Sequence, residues 1–462
     1  MGLARRRLMV LAVPGVAAVG VSGVAVTRAA AAASAGADHV PAPDLGIAPG
    51  NSAATNRANL IAALSNSAVC VVFPPGDYLV DNGGAHAPIR GFGGELVFRP
   101  GARLLFTDNT RSGIIFDDAT GPALYGLSTS FVSRPPARIA AEECVLFRNV
   151  DDPYVEDVRI DGSAAAGLLF FRCVRPTVVG ALITNTMADG LHFANCQDGR
   201  ADRITTVDTG DDGVAFVNYA SGPDRTGGLA TNISVTRSRA RGVAVVGQSG
   251  ATVRDVSIDQ TESHGLLCAY EAGLSRVPTD VSFERVRVNR GGAWQPSGGS
   301  PFPGVSLAEV GAVTLARITV DEPGGRGVNA VGGPVTLTDV TVRNGPSSGF
   351  NLQRGSYLLD RLTAENTGGI GFFANGCERV EYGTILLRNT SRTATLRRAV
   401  NVENNGYVVG ERLWIYDTQA TATGYIVGAY GAQRGSLGLV VDRVDSRDVV
   451  VENPSGLSLS RL

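Results

Sequence analysis

Three aspartates in two similar phrases are the residues of this sequence best suited to carry chemistry. Asp189 lies in NTMADGLHF (Asn185–Phe193); Asp211 and Asp212 lie in TGDDGVAF (Thr209–Phe216), with Asp212 23 residues after Asp189. Closely packed carboxylates repel one another, which raises the pKa of at least one and leaves a proton available near neutral pH. A protonated acid beside an ionised base is what cleavage of a glycosidic bond requires. Two plainer interpretations exist, because Asp-Gly is common in turns and carboxylates can bind calcium.

A repeated phrase explains why these aspartates should meet. From Gly167 onward, a residue followed by glycine and a short apolar run recurs, mostly at intervals of 22 or 23 residues. A fixed period of this size indicates a solenoid in which each period stacks on the last. Residues one period apart then lie one strand spacing apart, about 4.8 Å. The phrase glycines are Gly167, Gly190, Gly213, Gly242, Gly265, Gly304, Gly327, Gly349 and Gly371.

The repeat unit is predicted to be a coil of β-strands. The first and third residues after each glycine are apolar, as in Leu168 and Phe170, while the residue between them varies. This alternation is typical of a half-buried strand. Coils that return in the same direction form parallel sheets, and crossover handedness favours a right-handed winding. The sequence therefore predicts an all-β fold, a right-handed parallel β-helix (solenoid), with Phe170, Phe193 and Phe216 stacked inside it.

The residues that precede the glycines form a predicted column on the outside of the solenoid. On four successive coils they are Asp189, Asp212, Arg241 and His264. Asp211 and Asp212 cannot both lie in a regular strand, because one of them would then point into the apolar core. Both are therefore expected on a turn or bulge, reaching the outer surface close to Asp189. The three aspartates are the predicted catalytic residues.

Substrate-binding candidates come from the same strands and from two long coils. The intervals from Gly213 to Gly242 and from Gly265 to Gly304 are 29 and 39 residues, and insertions into a solenoid usually form loops that line the binding face. Trp294 is one of two tryptophans and is a candidate platform for a sugar ring, with burial against the wall of the solenoid as the alternative. The predicted substrate-binding residues are His192, Arg241, His264, Tyr219, Tyr270, Glu271 and Trp294.

The N-terminus predicts an exported protein. Three arginines, Arg5–Arg7, precede an apolar stretch and an alanine tract with a small-residue cleavage site, as in a signal peptide. We expect residues 1–35 to be a signal peptide for bacterial export by the Sec or twin-arginine route. A transmembrane anchor is the alternative. The mature protein is expected to be secreted, with no membrane association.

One continuous domain is expected after the signal peptide. Residues 36–125 are interpreted as a terminal cap with the first coils, and residues 126–462 as the catalytic β-helix. Asn56–Ser65 (NRANLIAALS) has helical spacing and precedes the extended segment Val71–Val80 (VVFPPGDYLV). A short N-terminal capping helix is therefore predicted to close the open end of the apolar core.

Composition excludes several classes of function. All 41 basic residues are arginine, which excludes a lysine base or Schiff base. The formal net charge is −2, and the signal peptide holds arginines but no acidic residue, so the mature chain is more acidic still. An acidic protein binds nucleic acid poorly, so no such partner is expected.

The six cysteines lack the spacing of a zinc site. Cys173 and Cys196 lie one period apart and are expected to stack as free thiols rather than to form a disulfide. None of the six is expected to act as a nucleophile.

The aspartate phrases resemble two families of β-helix enzymes. NTxxDG followed one coil later by GDDG resembles the inverting glycosidases of glycoside hydrolase family 28, the polygalacturonases. MADGLHF with TGDDGVAF resembles family 87, the α-1,3-glucanases, and the PPGxY strand after a helix resembles the start of the wider pectate-lyase-like superfamily. The resemblance is specific over Asn185–Phe216 and loose elsewhere. It implies that Asp211 is the general acid and that Asp189 and Asp212 activate water.

Departures from the family 28 pattern favour a neutral substrate. Polygalacturonases place Gly-His-Gly on the next coil, where this chain has Ala240-Arg241-Gly242. They bind the uronate carboxylate with Arg-x-Lys one coil later, where this chain has Gly265–Glu271. Uronate recognition of that kind is lost because the chain contains no lysine.

The sequence thus predicts a secreted inverting glycoside hydrolase that acts on a neutral polysaccharide or oligosaccharide by aspartate acid–base catalysis, with no cofactor and no metal. Inversion needs acid and base carboxyls about 6.5–9.5 Å apart, which a diagonal between coils with diverging side chains could provide. Two alternatives stay open. One is a β-helix polysaccharide lyase with Arg241 as base and calcium on the aspartates; the other is a non-catalytic carbohydrate-binding or adhesin β-helix. The sugar, its linkage, endo or exo action and the oligomeric state are left open.

Overall fold

The solenoid predicted from the repeat is present in the computed structural model, which describes residues 39–83, 87–393, 398–417, 427–431, 433–443, 451–452 and 457–461. The chain winds as a right-handed parallel β-solenoid of about 14 turns with very little helix, which confirms the predicted fold class. The predicted signal peptide, residues 1–35, lies outside the described residues, and the predicted domain limits stay a prediction. No helix in the described part of the chain is both long and apolar enough to cross a bilayer.

Most coils contribute one short strand and one long strand. A short strand of four residues follows most phrase glycines, as in Leu168–Phe171, and a long strand of nine to eleven residues returns on another side, as in Thr177–Thr186. Leu168 and Phe170 are buried in the core, whereas the residues between and after them face outward and are half-buried. Successive coils pair in parallel and in register, so the alternation predicted from the sequence sets which side chains form the core.

In the described part of the chain, twenty strands form the first sheet. The strands of both sheets share one numbering, in chain order. Those of the first sheet are β1 (His39–Pro41), β2 (Cys70–Phe73), β3 (Gly76–Val80), β5 (Glu95–Phe98), β6 (Ala102–Phe106), β8 (Ala123–Tyr125), β9 (Ser128–Phe131), β11 (Tyr154–Ser163), β13 (Thr177–Thr186), β15 (Arg200–Thr209), β17 (Leu229–Ser238), β19 (Thr252–Thr261), β21 (Val281–Asn289), β23 (Val313–Asp321), β25 (Pro334–Arg343), β27 (Ser356–Glu365), β29 (Arg379–Arg388), β31 (Tyr407–Asp417), β33 (Arg434–Arg443) and β35 (Ser458–Arg461).

Fifteen shorter strands form the second sheet, which carries the phrase repeats. They are β4 (Ile89–Arg90), β7 (Ile114–Asp117), β10 (Val145–Arg148), β12 (Leu168–Phe171), β14 (Leu191–Ala194), β16 (Val214–Val217), β18 (Val243–Val246), β20 (Leu266–Ala269), β22 (Val305–Val310), β24 (Val328–Gly332), β26 (Phe350–Gln353), β28 (Phe372–Asn375), β30 (Val400–Glu403), β32 (Val427–Tyr430) and β34 (Val451–Glu452).

Stacked phenylalanines fill the core beneath the second sheet. Phe170, Phe193 and Phe216 stack as predicted, with ring centroids 5.2 and 4.7 Å apart and ring planes within 11° of parallel. The stack continues toward the N-terminus through Phe147 and Phe116. Each fully buried ring contributes about 1.5–3 kcal/mol of hydrophobic stabilisation, so this stack holds neighbouring coils in one register.

A helix closes the N-terminal end of the core, as the spacing of apolar residues predicts. The helix α1 (Ala53–Leu64) begins after Ser52, whose hydroxyl accepts a backbone N–H of the first turn. Such a cap satisfies a donor that the helix cannot pair internally. Leu60 and Leu64 pack into the continuous apolar core. A 3-10 helix, Ala42–Leu45, precedes it.

The six cysteines are all buried and free, which confirms the prediction of free ladder thiols. Cys173 Sγ lies 3.4 Å from the carbonyl oxygen of Phe147, and Cys196 Sγ lies 3.2 Å from that of Phe170, one coil further along. Burial raises the pKa of Cys196 well above its usual value. A buried thiol of this kind packs as a small apolar group.

Candidate active site

The column predicted before the phrase glycines is present in the structure. The N–H of Gly190 donates to the carbonyl oxygen of Asp212 at 2.9 Å, and the N–H of Gly213 donates to that of Arg241 at 2.8 Å. The strands that follow pair residue for residue. Asp189, Asp212 and Arg241 therefore occupy equivalent positions on three adjacent coils.

Both carboxylate oxygens of Asp189 are already engaged. Its Oδ1 accepts the backbone N–H of Asp212 at 2.9 Å, and its Oδ2 lies 2.7 Å from Nδ1 of His192. When Nδ1 of a neutral imidazole carries the proton and donates to a carboxylate, Nε2 is left as an acceptor. In the structure Nε2 of His192 is buried and has no partner.

Asp212 lies on the turn between β15 and β16, as expected, but it is nearly buried rather than at the outer surface, with 3% of its surface exposed. Its Oδ1 accepts the backbone N–H of Arg241 at 3.0 Å. The Nε atom of Arg241 is also 3.0 Å from Oδ1 but is not aligned as a hydrogen-bond donor, so this contact is an ion pair. The expectation that this carboxyl faces outward is thus corrected, because Asp212 lies at the floor of a cleft. Its contacts with Arg241 offset part of the cost of burying it.

Asp211 is the most open of the three carboxyls, with 23% of its side chain exposed. Its Oδ2 accepts a hydrogen bond from Nη1 of Arg138 at 2.6 Å, and its Oδ1 is 3.8 Å from Nη1 of Arg241. Its backbone carbonyl accepts the hydroxyl of Ser238 on the next coil. Two guanidinium groups and a backbone bond therefore fix the position of this carboxyl.

The pKa values of Asp189 and Asp212 are shifted in opposite directions. Burial raises the pKa of Asp212 well above its usual value, and the charges of Asp189 and Asp211 act in the same direction against Arg241. Burial also acts to raise the pKa of Asp189, but the charge and hydrogen bond of His192 reverse the direction, so that pKa is lowered. One pKa is raised, as predicted, but its largest cause is burial rather than the repulsion between carboxylates on which the prediction rested. Two neighbouring carboxyls of this cluster therefore have pKa values shifted in opposite directions.

The aspartates line a cleft of about 490 Å³ on the outer wall of the solenoid. One oxygen of each of the three lies within 4.8 Å of the others. Toward the N-terminal coils the cleft is lined by apolar side chains that include Leu169 and Phe171, and toward the C-terminal coils by the loops of the two long coils. The predicted site residues that line it are Asp189, Asp211, Asp212, His192, Arg241, Tyr219 and Glu271.

Three predicted substrate-binding residues, His264, Tyr270 and Trp294, are not among the residues that line this cleft. His264 follows Arg241 in the column, but its Nδ1 lies 3.0 Å from the hydroxyl of Ser263 and its ring packs against Phe302. Burial, with the charge of the neighbouring guanidinium, lowers the pKa of His264 to about 4. Trp294 and Tyr270 are half-buried. A binding role for these three residues stays a prediction.

Two polar side chains hold the long loops at the rim of the cleft. The amide of Asn195 donates to Oδ1 of Asn218 at 2.8 Å and to the carbonyl of Tyr219 at 2.9 Å. Arg276, from the second long coil, donates to Oδ1 of Asn218 at 3.1 Å and to the carbonyl of Gly222 at 2.8 Å.

Burial, followed by the charges of the nearby carboxylates, raises the pKa of Tyr219 to about 12. The Tyr219 hydroxyl therefore stays protonated beside the aspartates.

Among the cleft-lining residues that the sequence analysis missed are Glu143 and Arg138. Glu143 belongs to the same column as Asp189 but stands two coils earlier, with Ala166 between them. Its coil has Cys144 where the later coils have the phrase glycine, so the repeat hid it; counting back by two periods of 23 residues would have found it. Arg138 lies in a non-periodic loop, and the sequence carries no comparable signal for it.

Each arginine that lines the cleft is paired with a carboxylate. Arg138 contacts Asp211, and Arg241 contacts the aspartate pair and lies 3.6 Å from Glu271. Arg148 makes a bidentate contact with Asp117 at 3.0 and 2.8 Å. Among the residues that line this cleft, no arginine is therefore left without a carboxylate partner to bind a substrate anion.

The three aspartates lie close enough for one oxygen of each to contact a single cation, and carboxylates are good ligands for Ca²⁺. Two observations argue against that use. Arg138 and Arg241 already compensate much of the negative charge, and both oxygens of Asp189 accept hydrogen bonds. The donor set fits a proton-sharing cluster better than a calcium site.

Comparison with known proteins gives likenesses of structure alone, since no protein-family model and no curated protein sequence matches the chain. The catalytic domain of a GH87 α-1,3-glucanase variant in complex with tetrasaccharides aligns with a TM-score of 0.59 and 16% identity, over 72% of this chain and 65% of that one. A second such variant, also in complex with tetrasaccharides, aligns with a TM-score of 0.50 and 15% identity, over 64% and 60%. A family 28 exopolygalacturonase of Yersinia enterocolitica gives 0.45 and 13%, over 90% and 80%.

This chain is a right-handed β-helix that is similar in fold to the GH87 catalytic domains. The resemblance stated from the aspartate phrases is confirmed at the level of the fold. The chain spans less than two thirds of the length of the GH87 catalytic domains that it matches. The activity and the substrate of the β-helix therefore have to be argued from its own cleft.

Proposed function

We propose that this protein is an exported inverting glycoside hydrolase that cleaves a neutral polysaccharide. The observation that carries the proposal is the cluster of Asp189, Asp211 and Asp212, in which neighbouring carboxyls have pKa values shifted in opposite directions. Opposed shifts within one cleft are how a site keeps an acid and a base at the same pH. The structural neighbours with the same fold include glycoside hydrolases in complex with oligosaccharides, which supports a carbohydrate substrate.

The acid half of the reaction is assigned to the pair Asp211 and Asp212. Asp212 has the raised pKa but is too enclosed to reach a polysaccharide, whereas Asp211 is open to the cleft. Because adjacent carboxyls exchange a shared proton, Asp211 can present it to the glycosidic oxygen. The bond between that oxygen and the anomeric carbon breaks as the oxygen takes the proton. Arg138 holds the Asp211 carboxyl in place during the transfer.

The base half is assigned to Asp189 acting through His192. The resemblance gives this role to Asp189 with Asp212, but both oxygens of Asp189 are engaged and burial raises the pKa of Asp212. In the neutral form of His192, Nε2 is an unpartnered basic atom. A water held there attacks the anomeric carbon on the face opposite the leaving group and gives its proton to Nε2, while Asp189 stabilises the imidazolium.

This assignment also addresses the separation of acid and base. The three carboxyls have oxygens within 4.8 Å of one another, which is closer than the separation of about 6.5–9.5 Å typical of inverting pairs. The wide diagonal expected from the sequence is therefore not found between these oxygens. In this assignment the imidazole ring separates Asp189 from the basic atom Nε2, and because Nε2 is buried the attacking water has to be an enclosed one.

The pairing of the cleft arginines supports a neutral substrate. A uronic acid polymer carries a carboxylate on each sugar, and its recognition needs cations that can bind it bidentately. Arg138, Arg148 and Arg241 are each held by a carboxylate of the protein. A uronate in this cleft would have to break one of these ion pairs, whereas a neutral sugar would leave them intact.

Proton NMR of the first product tests the proposed reaction. The protein without residues 1–35 is incubated with a panel of neutral glycans, including α-1,3-glucan, and with polygalacturonate. We expect release of reducing ends from a neutral glycan, with inverted anomeric configuration, and loss of release in Asp211→Asn. Retained configuration would refute the mechanism, and cleavage of polygalacturonate alone would refute the substrate class.

A single substitution tests the role of His192. In His192→Asn the side-chain amide can take the place of Nδ1 beside Asp189, but nothing replaces Nε2. If Nε2 activates the water, the rate should fall by about 10²–10⁴, the usual worth of acid–base catalysis, and added imidazole should restore part of it. A variant that keeps most of its activity would show that Asp189 contacts the water directly.

The same panel separates the two other classes of function. A lyase would yield an unsaturated product that absorbs in the ultraviolet and would lose activity with a chelator. As its base, Arg241 would first have to leave its ion pairs with Asp212 and Glu271. A non-catalytic carbohydrate-binding or adhesin protein would bind a glycan and release no reducing ends.

Export is the remaining part of the proposal, and it rests on Arg5–Arg7 and the apolar stretch that follows them. The protein recovered from the medium of the producing bacterium should begin close to residue 36 when its N-terminal sequence is read. Recovery from membranes with the N-terminus intact would instead support the anchor.

A further inference from the structure

The cleft extends past the aspartates toward the N-terminal coils, and a buried carboxyl there has no part in the mechanism above. Glu143 is 6% exposed, and its Oε2 is buried without a hydrogen-bond partner. We infer that Glu143 is a substrate-binding residue, which donates a hydrogen bond to a hydroxyl group of a neutral sugar bound on this side of Asp189. The inference rests on the proposed hydrolase function and adds to it a binding subsite.

Ala166 provides the space that this subsite needs. It occupies the column position between Glu143 and Asp189, and it lines the cleft. Two coil spacings separate the column positions of Glu143 and Asp189 by about 10 Å. On the other side of Asp189 the next two column positions carry Asp212 and Arg241, whose larger side chains contact each other. The methyl group of Ala166 therefore leaves a gap in the column that is bounded by a carboxyl on each side.

The floor beside this gap is apolar. Leu169 and Phe171 lie on β12, point away from the core and are half-buried, and both line the cleft together with Leu146. The guanidinium of Arg172 lies over the ring of Phe171, 4.8 Å from its centroid. A sugar ring has an apolar face of C–H groups and hydroxyl groups around its edge. It can pack on such a floor while its edge reaches Glu143.

The protonation of Glu143 matches a hydroxyl partner. Burial raises its pKa, and the charges of Glu142 and Asp189 act in the same direction, against the charge of His192 and a backbone hydrogen bond. A protonated carboxyl donates, and a sugar hydroxyl both accepts and donates. A buried polar atom without a partner is costly, and a bound hydroxyl group removes that cost. A uronate carboxylate bound here would instead lie near the negative charge of Asp189.

Three substitutions test the inference. Glu143→Gln keeps a hydrogen-bond donor at this position, whereas Glu143→Leu removes it and keeps similar bulk. Glu142→Gln is the matched control, because Glu142 is also buried but bonds to Arg111 and Ser112 and does not line the cleft. Each variant is tested with glucose tetrasaccharides of α-1,3, β-1,3 and β-1,4 linkage and with a galacturonate tetrasaccharide. Binding is measured by calorimetry on an Asp211→Asn background, and KM and kcat on the active protein.

We expect Glu143→Leu to weaken binding of a neutral tetrasaccharide and to raise KM by roughly 10- to 100-fold, the worth of one buried hydrogen-bonding group, with a smaller change in kcat. Glu142→Gln should stay close to the wild type, and Glu143→Gln should lose less affinity than Glu143→Leu because it keeps a hydrogen-bond donor. If leucine at this position prevents folding, as judged by thermal unfolding, Glu143→Ala serves the same comparison.

The outcomes separate failure of the inference from failure of the proposed function. If the wild type cleaves a neutral tetrasaccharide and Glu143→Leu binds it equally well, the inference alone is wrong. An equal loss in Glu143→Leu and Glu143→Gln would also overturn it, because the amide retains the donor. If the wild type binds only the galacturonate tetrasaccharide, or cleaves none of the four, the proposed function fails and the subsite fails with it.

Discussion

Neutralising Asp212 should abolish activity without weakening the fold. In Asp212→Asn the side-chain oxygen can still accept the backbone N–H of Arg241, and the backbone N–H of residue 212 can still donate to Asp189. The hydrogen bonds that fix the turn are therefore kept. The substitution removes the titratable proton of Asp212. At pH values where the Asp212 carboxyl is ionised, it also removes a negative charge.

The distances in the site set the charge interactions of an ionised Asp212. At an effective dielectric constant of about 20, Arg241 Nε at 3.0 Å attracts an ionised Asp212 by about 5.5 kcal/mol. Asp189 and Asp211, with oxygens within 4.8 Å, together repel it by about 7 kcal/mol. The attraction and the repulsion are therefore of similar size, and the cost of burying the charge decides the sign. The ionised carboxyl is therefore destabilising where it stands.

The pH dependence follows from the raised pKa of Asp212. A carboxyl whose pKa is higher in the folded state than in the unfolded state makes its full contribution to stability below the unfolded value of about 3.9 and loses it as the pH rises through the folded value. The asparagine variant lacks this loss. Its free energy of unfolding relative to the wild type should therefore increase between about pH 4 and the folded pKa.

Two measurements on one variant complete this test. The rate of reducing-end release should fall by about 10²–10⁴, while urea unfolding at pH 7 should show a free energy of unfolding equal to or above that of the wild type. Asp208→Asn is the control, because Asp208 pairs with Arg237 at 2.6 and 2.8 Å and does not line the cleft; it should keep full activity and lose at most about 1 kcal/mol. Wild-type activity in Asp212→Asn, or a loss of several kcal/mol of stability, would refute the reasoning.

Three further predictions concern the core, the thiols and the edge of the site. Phe193→Ala should lower the free energy of unfolding by about 3–5 kcal/mol, because its buried ring stacks between Phe170 and Phe216; a loss below about 1 kcal/mol in urea would contradict a continuous stack. The six buried free cysteines should not react with Ellman's reagent in the native protein and should all react in denaturant; a fast-reacting thiol would contradict their burial. His264→Asn should leave the pH profile of hydrolysis unchanged, because His264 does not line the cleft; a displaced acidic limb would place it against the substrate.

The architecture could be predicted because each coil repeats the same physical requirement. At Gly190, a Cβ atom would come within 2.6 Å of a methyl group of Thr206 and within 2.7 Å of the carbonyl oxygen of Gly213 on the next coil. The same conflict recurs at Gly213, against Val235 and the carbonyl oxygen of Gly242. Glycine is therefore favoured at this position on the coils from Gly167 to Gly371, and its spacing in the sequence gives the register of the column.

The burial and pairing of the site could not be predicted, because they depend on parts of the chain that do not repeat. Asp212 is enclosed at the floor of a cleft whose walls include Arg138 and Tyr219, both from irregular segments. Trp294 was placed in the binding face because its coil is long, but another part of that coil, with Glu271, lines the cleft. The length of an insertion shows that a loop exists and does not show which part of it turns toward the site.

The first long coil accommodates its additional residues without disturbing the strands on either side. They lie between Val217, where β16 ends, and Leu229, where β17 begins, and both strands still pair in register with the coils before and after them. Replacement of this segment by a longer or shorter one would reshape the rim without displacing Asp189 or Asp212. Loop exchange at this position therefore offers a way to change which glycan is accepted while the chemistry is left as it is.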